Sequence, residues 1–227
     1  MTKLITCMKY IIITKKLWQE FNFKNLDKRF IVQNNINSKL IKKIKPKIIF
    51  FIHWSKLIPN SIYKKYLCIQ FHTSDLPKFR GGSPIQNQII NNIKNTKITA
   101  FKVNSIIDGG EICLKKNIEL SGSAQKIYKN IEKKVIQMIN QIVKKKNLKF
   151  TKQYGKGSYY KRRKPEDSKI NLDKLKNINN LYNLIRCTDA DNYPKAYLSF
   201  KNFIVELFDA KLKSKILYAK IKITKKK

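Results

Sequence analysis

Two nearly unbroken apolar runs, Ile48-Ile49-Phe50-Phe51-Ile52 and Leu67-Cys68-Ile69-Gln70-Phe71, constrain this chain more than any other feature. A strand with one wet face alternates apolar and polar residues. A run without alternation is covered on both faces, which is the signature of a central parallel strand. Parallel neighbours cannot be joined by a tight hairpin, so helical crossovers must lie between such runs, and the fold class is α/β. Lys9 to Thr14 reads as a first strand of the same kind, and Ser38 to Lys45 as a helix stopped by Pro46. In open sheets of this class ligands gather outside the carboxyl ends of the strands. The residue that follows the second run is His72, one of two histidines in the chain.

Glycine marks the same region. The chain has only seven glycines, and Gly81, Gly82, Gly109 and Gly110 fall in two loops, Phe71 to Gln88 and Ile107 to Glu111. Glycine is required where φ is positive or where backbone must approach another group closely, so both loops are candidates for a site. Ser83-Pro84-Ile85-Gln86 reads as a capping box with proline at the first helical position, predicting a helix over Pro84 to Ile93 that ends by Asn95.

Farther on, Lys97 to Asn104 and Glu111 to Glu119 read as strands. Ser123 to Lys146 carries Ile127, Ile131, Val135, Met138 and Ile142 at helical spacing, a long amphipathic helix with an ordinary core stripe. Residues 147–170 lose periodicity and contain the basic run Lys161-Arg162-Arg163-Lys164-Pro165, as a linker or ordered loop would. Leu175 to Cys187 reads as a helix, Ala196 to Phe208 and Lys213 to Thr224 as strands, and Lys225 to Lys227 as a frayed end. The expected organisation is a catalytic domain over 1–150 and a linker with a small α+β subdomain over 151–227.

The formal net charge is +36, which invites a polyanion partner. Lys (45), Ile (35) and Asn (22) nevertheless dominate the chain, whereas Arg numbers only five. That bias fits a genome rich in A and T codons and spreads lysine instead of gathering arginine, the residue suited to bidentate phosphate contacts. Nucleic acid is therefore the less favoured partner at this point. Cys7, Cys68, Cys113 and Cys187 are far apart and form no CxxC, so neither a zinc site nor a disulfide framework is expected, and a cytoplasmic location with reduced thiols is. The N-terminal apolar patch is broken by Lys9 and no run reaches membrane-spanning length, so neither a signal peptide nor a membrane partner is expected. No glycine precedes Gly81, which excludes a dinucleotide fingerprint and a P-loop.

His72 and Asp108 are 36 residues apart, with one helix and one strand between them. A parallel return would bring the two to neighbouring strand ends, where they could move protons and hold a polar intermediate. The competing reading leaves His72 capping a strand and Asp108 starting a turn. His53, set in Phe-Phe-Ile-His-Trp, reads as a packed core imidazole.

The run His72-Thr73-Ser74-Asp75-Leu76-Pro77-Lys78-Phe79-Arg80-Gly81 resembles the His-x-Ser-x-Leu-Pro-x-Tyr/Phe-Arg/Lys-Gly signature of the folate-dependent formyltransferases. Ile107-Asp108-Gly109-Gly110-Glu111-Ile112 resembles that family's Asp-Ala/Gly-Gly-x-Ile step, and Lys56-Leu57-Ile58-Pro59 its folate-side loop. Tyr160 to Ile170, Leu184-Ile185-Arg186 and Tyr193 to Tyr197 look like the segments that follow its catalytic core. The resemblance covers about residues 45–210. It implies a Rossmann-like, mostly parallel sheet with helices on both faces, and formyl transfer from 10-formyltetrahydrofolate to an amine. By the same resemblance His72 would donate to the oxyanion, Asp108 would orient the imidazole or the amine and help remove a proton, and Gln70 stands where the family carries Asn. Gln keeps the amide but adds a methylene. Leu57, Ile58, Val103 and Ile106 would line the pterin slot. Ser74, Arg80, Gly81, Gly82, Tyr160 and Arg163 would serve the substrate, and no metal is implied.

The leading expectation for the acceptor is a nucleotide-linked amino sugar. The tail after residue 150 looks too short for the C-terminal barrel of the tRNA enzymes, and Tyr159, Tyr160 and Arg163 suit a base and a diphosphate. The alternatives are a methionyl-tRNA formyltransferase-like enzyme and a basic nucleic-acid-binding relative that has lost catalysis. A homodimer is left open.

Overall fold

The computed structural model describes residues 9–15 and 26–226. The expectations for Cys7, for the N-terminal patch before Lys9, for residues 16–25 and for Lys227 lie outside the described residues. Two compact units are present, Met1–Gly81 with Lys97–Asn117 and Glu132–Tyr159, and Gly82–Thr96 with Ile118–Ile131 and Tyr160–Lys227. They interleave along the chain, whereas the expected division at residue 150 separates consecutive stretches.

A six-stranded sheet runs in the order β2-β1-β3-β4-β6-β7. Strand β1 (Tyr10–Thr14) lies parallel between β2 (Phe30–Gln33) and β3 (Ile48–Ile52), and β3 pairs in parallel with β4 (Cys68–His72). Every residue of β1 and β3 is buried, as their unbroken apolar runs require. Ile11, Ile12, Ile13, Ile49, Phe50, Phe51 and Ile69 are 1% exposed or less. At about 1.5–3 kcal/mol for each fully buried side chain of this size, these strands are the main apolar contribution to the fold.

The connections are cut by local signals. Helix α1 (Ser38–Ile44) starts at Asn37, whose Oδ1 accepts from the Leu40 amide at 3.0 Å, and stops at Lys45 in the left-handed region (φ 49°), just before Pro46. Helix α2 (Asn60–Tyr63) follows Pro59. Past β4, the two-residue strand β5 (Arg80–Gly81) leads to helix α3 (Pro84–Ile90). Pro84 opens α3 as expected, but the capping box does not form. Ser83 sits at φ 48° and its Oγ accepts instead from the Arg163 amide at 3.1 Å, while the Gln86 Nε2 donates to Tyr128 Oη at 2.9 Å. Tertiary partners outbid the local one.

Strand β6 reverses the expected direction, and β7 turns back again. Strand β6 (Asn95–Lys102) pairs with β4 antiparallel, with His72 opposite Thr99 and Ile69 opposite Lys102. Its carboxyl end therefore lies beside the amino end of β4, where the Val103 amide donates to Cys68 O at 2.9 Å. Strand β7 (Ile112–Glu119) returns beside β6, with Lys102 bonded to Glu111 at one end and Leu120 to Lys94 at the other. Helix α4 (Ala124–Lys144) buries Ile127, Ile131, Val135, Met138 and Ile142 to 1% exposure or less, as its spacing predicts.

After the two-residue strand β8 (Tyr159–Tyr160), helix α5 (Ile178–Thr188) of the second unit contributes Ile185 to a core with Ile170 and Ala196, against which Leu198, Leu207 and Leu217 pack. The expected strand over Ala196 to Phe208 is two strands. β9 (Ala196–Ser199) turns at the exposed Phe200-Lys201-Asn202 into β10 (Phe203–Lys213), which pairs antiparallel with β9 and with β11 (Ile216–Lys225). The mostly parallel sheet with a C-terminal α+β portion stands.

Candidate active site

In the first unit the chain holds His72 from two sides. His72 is the last residue of β4 and is 6% exposed. Its Nε2 lies 2.7 Å from the carbonyl oxygen of Phe79. A carbonyl only accepts, so Nε2 carries the proton and Nδ1 is the ring atom left to exchange one. Facing Nδ1 at 3.6 Å is Oδ2 of Asp108, itself 8% exposed. The same Oδ2 accepts the Gly81 amide at 2.8 Å. The carboxylate is thus fixed by backbone and stops just short of the imidazole.

The route by which Asp108 arrives differs from the parallel return expected for it. Since β6 is antiparallel to β4, it ends three residues down β4 from His72, roughly 10 Å at strand rise. The segment between Val103 and Glu111 has to double back along the sheet. Asp108 accomplishes the last turn at φ 50°, an uncommon conformation for a residue with a side chain. Gly110 allows the close pass, because a Cβ there would fall inside the carbonyl of Lys102.

The loop after His72 is braced internally. Ser74 is fully buried and donates its hydroxyl to Lys78 O at 2.6 Å, while its own carbonyl accepts from Thr99 Oγ1 at 2.6 Å. Lys115 Nζ reaches Asp75 Oδ1 at 2.5 Å and Leu76 O at 2.7 Å, and Lys97 Nζ reaches Asp75 Oδ2 at 3.0 Å. Burial works against the Asp75 charge, but the hydrogen bonds from Lys115 and Lys97 outweigh it and hold this carboxyl below its ordinary range. Arg80 directs its guanidinium to Gln153 Oε1, with Nη2 at 2.7 Å. Ser74 and Arg80, expected to serve the substrate, are engaged within this loop and its support.

The remaining expected residues fall into three groups. Gln70 is half-buried in β4 and its Nε2 points at Trp54 O, 3.3 Å away. Of the apolar set, Val103 (8% exposed) belongs to the core and Ile58 packs against the same cluster, whereas Leu57 is 82% and Ile106 59% exposed. Gly82, Tyr160 and Arg163 belong to the second unit. There the Gly82 amide donates to Tyr160 O at 2.8 Å, and a Cβ on Gly82 would enter the backbone of Arg162. Chain packing by itself requires glycine at position 82. Arg163 donates through Nη2 to Asp167 O and through its amide to Ser83.

Two residues that sequence reasoning passed over complete the support in the first unit. Ser158 accepts the Phe79 amide on Oγ (2.9 Å) and the Arg80 amide on its carbonyl (2.9 Å), and gives its own amide to Pro77 O (3.2 Å). Gln153 donates to the carbonyls of both Asp108 and Gly110 at 2.8 Å. Both lie in the stretch read as a linker. The signal available was Gly155 and Gly157, two more of the few glycines, flanking an aperiodic segment.

The other histidine, His53, follows β3 at φ 48°, and burial together with the Lys15 charge pushes its imidazole down to about 4. It is neutral at ordinary pH, in keeping with a packed imidazole.

Comparison with known proteins places this geometry. Residues 12–145 match the family model described as formyl transferase, and residues 165–224 match the one described as the methionyl-tRNA formyltransferase C-terminal domain. A methionyl-tRNA formyltransferase of Kosmotoga olearia is 30% identical over 177 residues, 75% of this chain and 56% of that protein. The one from Thermosipho melanesiensis is 31% identical over 77% of this chain and 57% of its own length. The chain thus spans little more than half the length of these relatives. The solved methionyl-tRNA formyltransferase from Clostridium thermocellum superposes with a TM-score of 0.88 at 34% identity, over 96% of this chain and 100% of that one. A 4-N formyltransferase from Francisella tularensis, at 19% identity and a TM-score of 0.66, shares the fold.

Proposed function

This chain belongs to the formyl transferase family, and from that premise we propose that it transfers a formyl group from 10-formyltetrahydrofolate to the amino group of an aminoacylated tRNA. The observation that carries the choice of acceptor is the likeness to the Clostridium thermocellum methionyl-tRNA formyltransferase over 96% of this chain and 100% of that one. It weighs against the nucleotide-sugar expectation, whose main support was a short C-terminal tail. A solved chain of the tRNA type is covered completely by this one. The match of residues 165–224 to a tRNA-enzyme C-terminal domain supports the same reading.

The surface of that tail supports it too. Lys211, Lys213, Lys215, Lys220, Lys222, Lys225 and Lys226 are all exposed on or beside the β10–β11 hairpin, among exposed Tyr218 and Phe203. Lysines so placed release counterions from a phosphate backbone. The composition bias accounts for how many lysines there are, and the hairpin accounts for where some of them act.

When bound, 10-formyltetrahydrofolate supplies the one-carbon unit. The exposed apolar side chains of Leu57 and Ile106 fit a flat heterocycle that would cover them, with Ile58 and Val103 forming the fixed wall behind. With both ring nitrogens protonated, His72 donates from Nδ1, its Nε2 being spent on Phe79 O, to the oxygen that gains charge as the amine attacks. As the bond from the formyl carbon to N10 breaks, the proton shed by the amine ends on N10 of the departing tetrahydrofolate. Asp108, 3.6 Å from Nδ1, receives the proton that the amine must shed and balances charge on the ring. Gln70 acts from behind, through the Trp54 carbonyl it holds.

The test is a formyl-transfer assay with 10-formyltetrahydrofolate and charged tRNA at low and physiological salt. Turnover is expected, with an apparent KM for tRNA that rises steeply with salt. Turnover on a nucleotide-linked amino sugar but none on tRNA would restore the other acceptor. No turnover on any amine would leave a basic binding protein.

A further inference from the structure

We propose that Gln153 is a positioning residue that sets Asp108 against His72. This rests on the formyl-transfer reading for its activity readout, though not for its geometry. Asp108 reaches the imidazole only by a doubled-back loop, and holds its place at φ 50°. Such a conformation persists only where surrounding structure over-determines it. Gly81 holds the side-chain end of Asp108, through its amide on Oδ2. Gln153 holds the main-chain end.

One planar carboxamide makes all the connections. Both N–H bonds of Nε2 are used, on Asp108 O and Gly110 O at 2.8 Å each, and Oε1 accepts from Arg80 Nη2 at 2.7 Å and Nε at 3.3 Å. Arg80 directly follows Phe79, whose carbonyl fixes His72 Nε2, and precedes Gly81, whose amide fixes Asp108. Gln153 therefore ties the loop that carries Asp108 to the loop that orients His72. The 3.6 Å separation between the two catalytic groups is set by that tie. Two donors and an acceptor on one end group are found only on Gln and Asn, and Asn is a methylene short. Glu would keep the Arg80 contact and turn a carboxylate oxygen toward two carbonyls.

The experiment is a double-mutant cycle on the full chain, with Gln153→Ala, Asp108→Ala and both together, measured as kcat and KM for charged tRNA beside the melting temperature. We expect Gln153→Ala to lower kcat by roughly 10- to 100-fold, as a displacement of about 1 Å does, with KM changed by less than about two-fold. In the Asp108→Ala background the same substitution should cost nothing further, because it acts through Asp108. Gln153→Glu, which preserves shape and the Arg80 contact but not the two bonds to Asp108 O and Gly110 O, should lose kcat to a similar degree. Additive losses, or an unchanged kcat in Gln153→Ala, would overturn the proposal. If the wild type transfers no formyl group, the functional reading fails separately. The His72 ring-nitrogen resonances, read in a His53→Gln background, then decide: a shift on Gln153→Ala supports the tie and unchanged resonances refute it.

Discussion

The carboxyl ends of β3 and β4 present the same residue type, and they differ in what meets it. His53 and His72 each terminate a buried parallel strand in adjacent positions of one sheet. His53 is followed by the buried Trp54, and burial with the Lys15 charge pushes it down to about 4. His72 is followed by a braced loop that claims one ring nitrogen and is met by Asp108 at the other. A strand end thus offers a place for chemistry, and the loops that return to it decide whether chemistry occurs.

The largest way to break this contrast is His72→Ala, which should lower kcat by roughly 10²–10³ while leaving His53→Gln within about two-fold of wild type in the same assay. Equal losses at both histidines would erase the distinction. Next in size, Gln70→Asn shortens the side chain that holds Trp54 O. We expect kcat to change by several-fold, on the order of 1 kcal/mol for one hydrogen bond, with KM for tRNA held.

A smaller effect is expected of Lys115→Met, which removes the strongest brace on Asp75. Because the Asp75 carboxyl is held below its ordinary range, its stabilising contribution is present above the range of an unfolded carboxylate and is lost as pH falls through the depressed value. Melting measured against pH should show this acid loss in the wild type, and show a smaller one in Lys115→Met, where the folded carboxyl lies closer to its unfolded value. The least conspicuous prediction concerns His53 itself. Its unfolded form takes up a proton near 6.5 and its folded form only near 4, so stability should fall as pH drops through that window. In His53→Gln the slope should flatten, by an amount on the order of 1–3 kcal/mol across the window. An unchanged acid slope would mean that the imidazole is not the group responsible.

Much of the frame was legible from residues alone, since β1, β3, β4, α4 and α5 follow from apolar runs and helical spacing, which are properties of neighbours in sequence. His72 and Asp108 were legible as a pair, through position and through the family signature. What escaped is held by partners far along the chain. The reversal of β6 depends on pairing with β4, and no pattern within Asn95–Lys102 distinguishes the two directions. The capping box at Ser83 was locally sound and yielded to an amide 80 residues away. Gln153 and Ser158 bond to groups 45 to 79 residues distant, so the segment that carries them shows no periodicity of its own and reads as a linker.

Gly110 gives the composition of this chain a boundary. Substitution toward lysine, isoleucine and asparagine can run freely over exposed positions, where a longer side chain meets only solvent. At Gly110 any side chain begins inside the Lys102 carbonyl, and at Gly82 inside the Arg162 backbone. Mutational pressure on the genome therefore meets a steric wall at these two positions. Gly82 and Gly110 map where the chain has no room to drift.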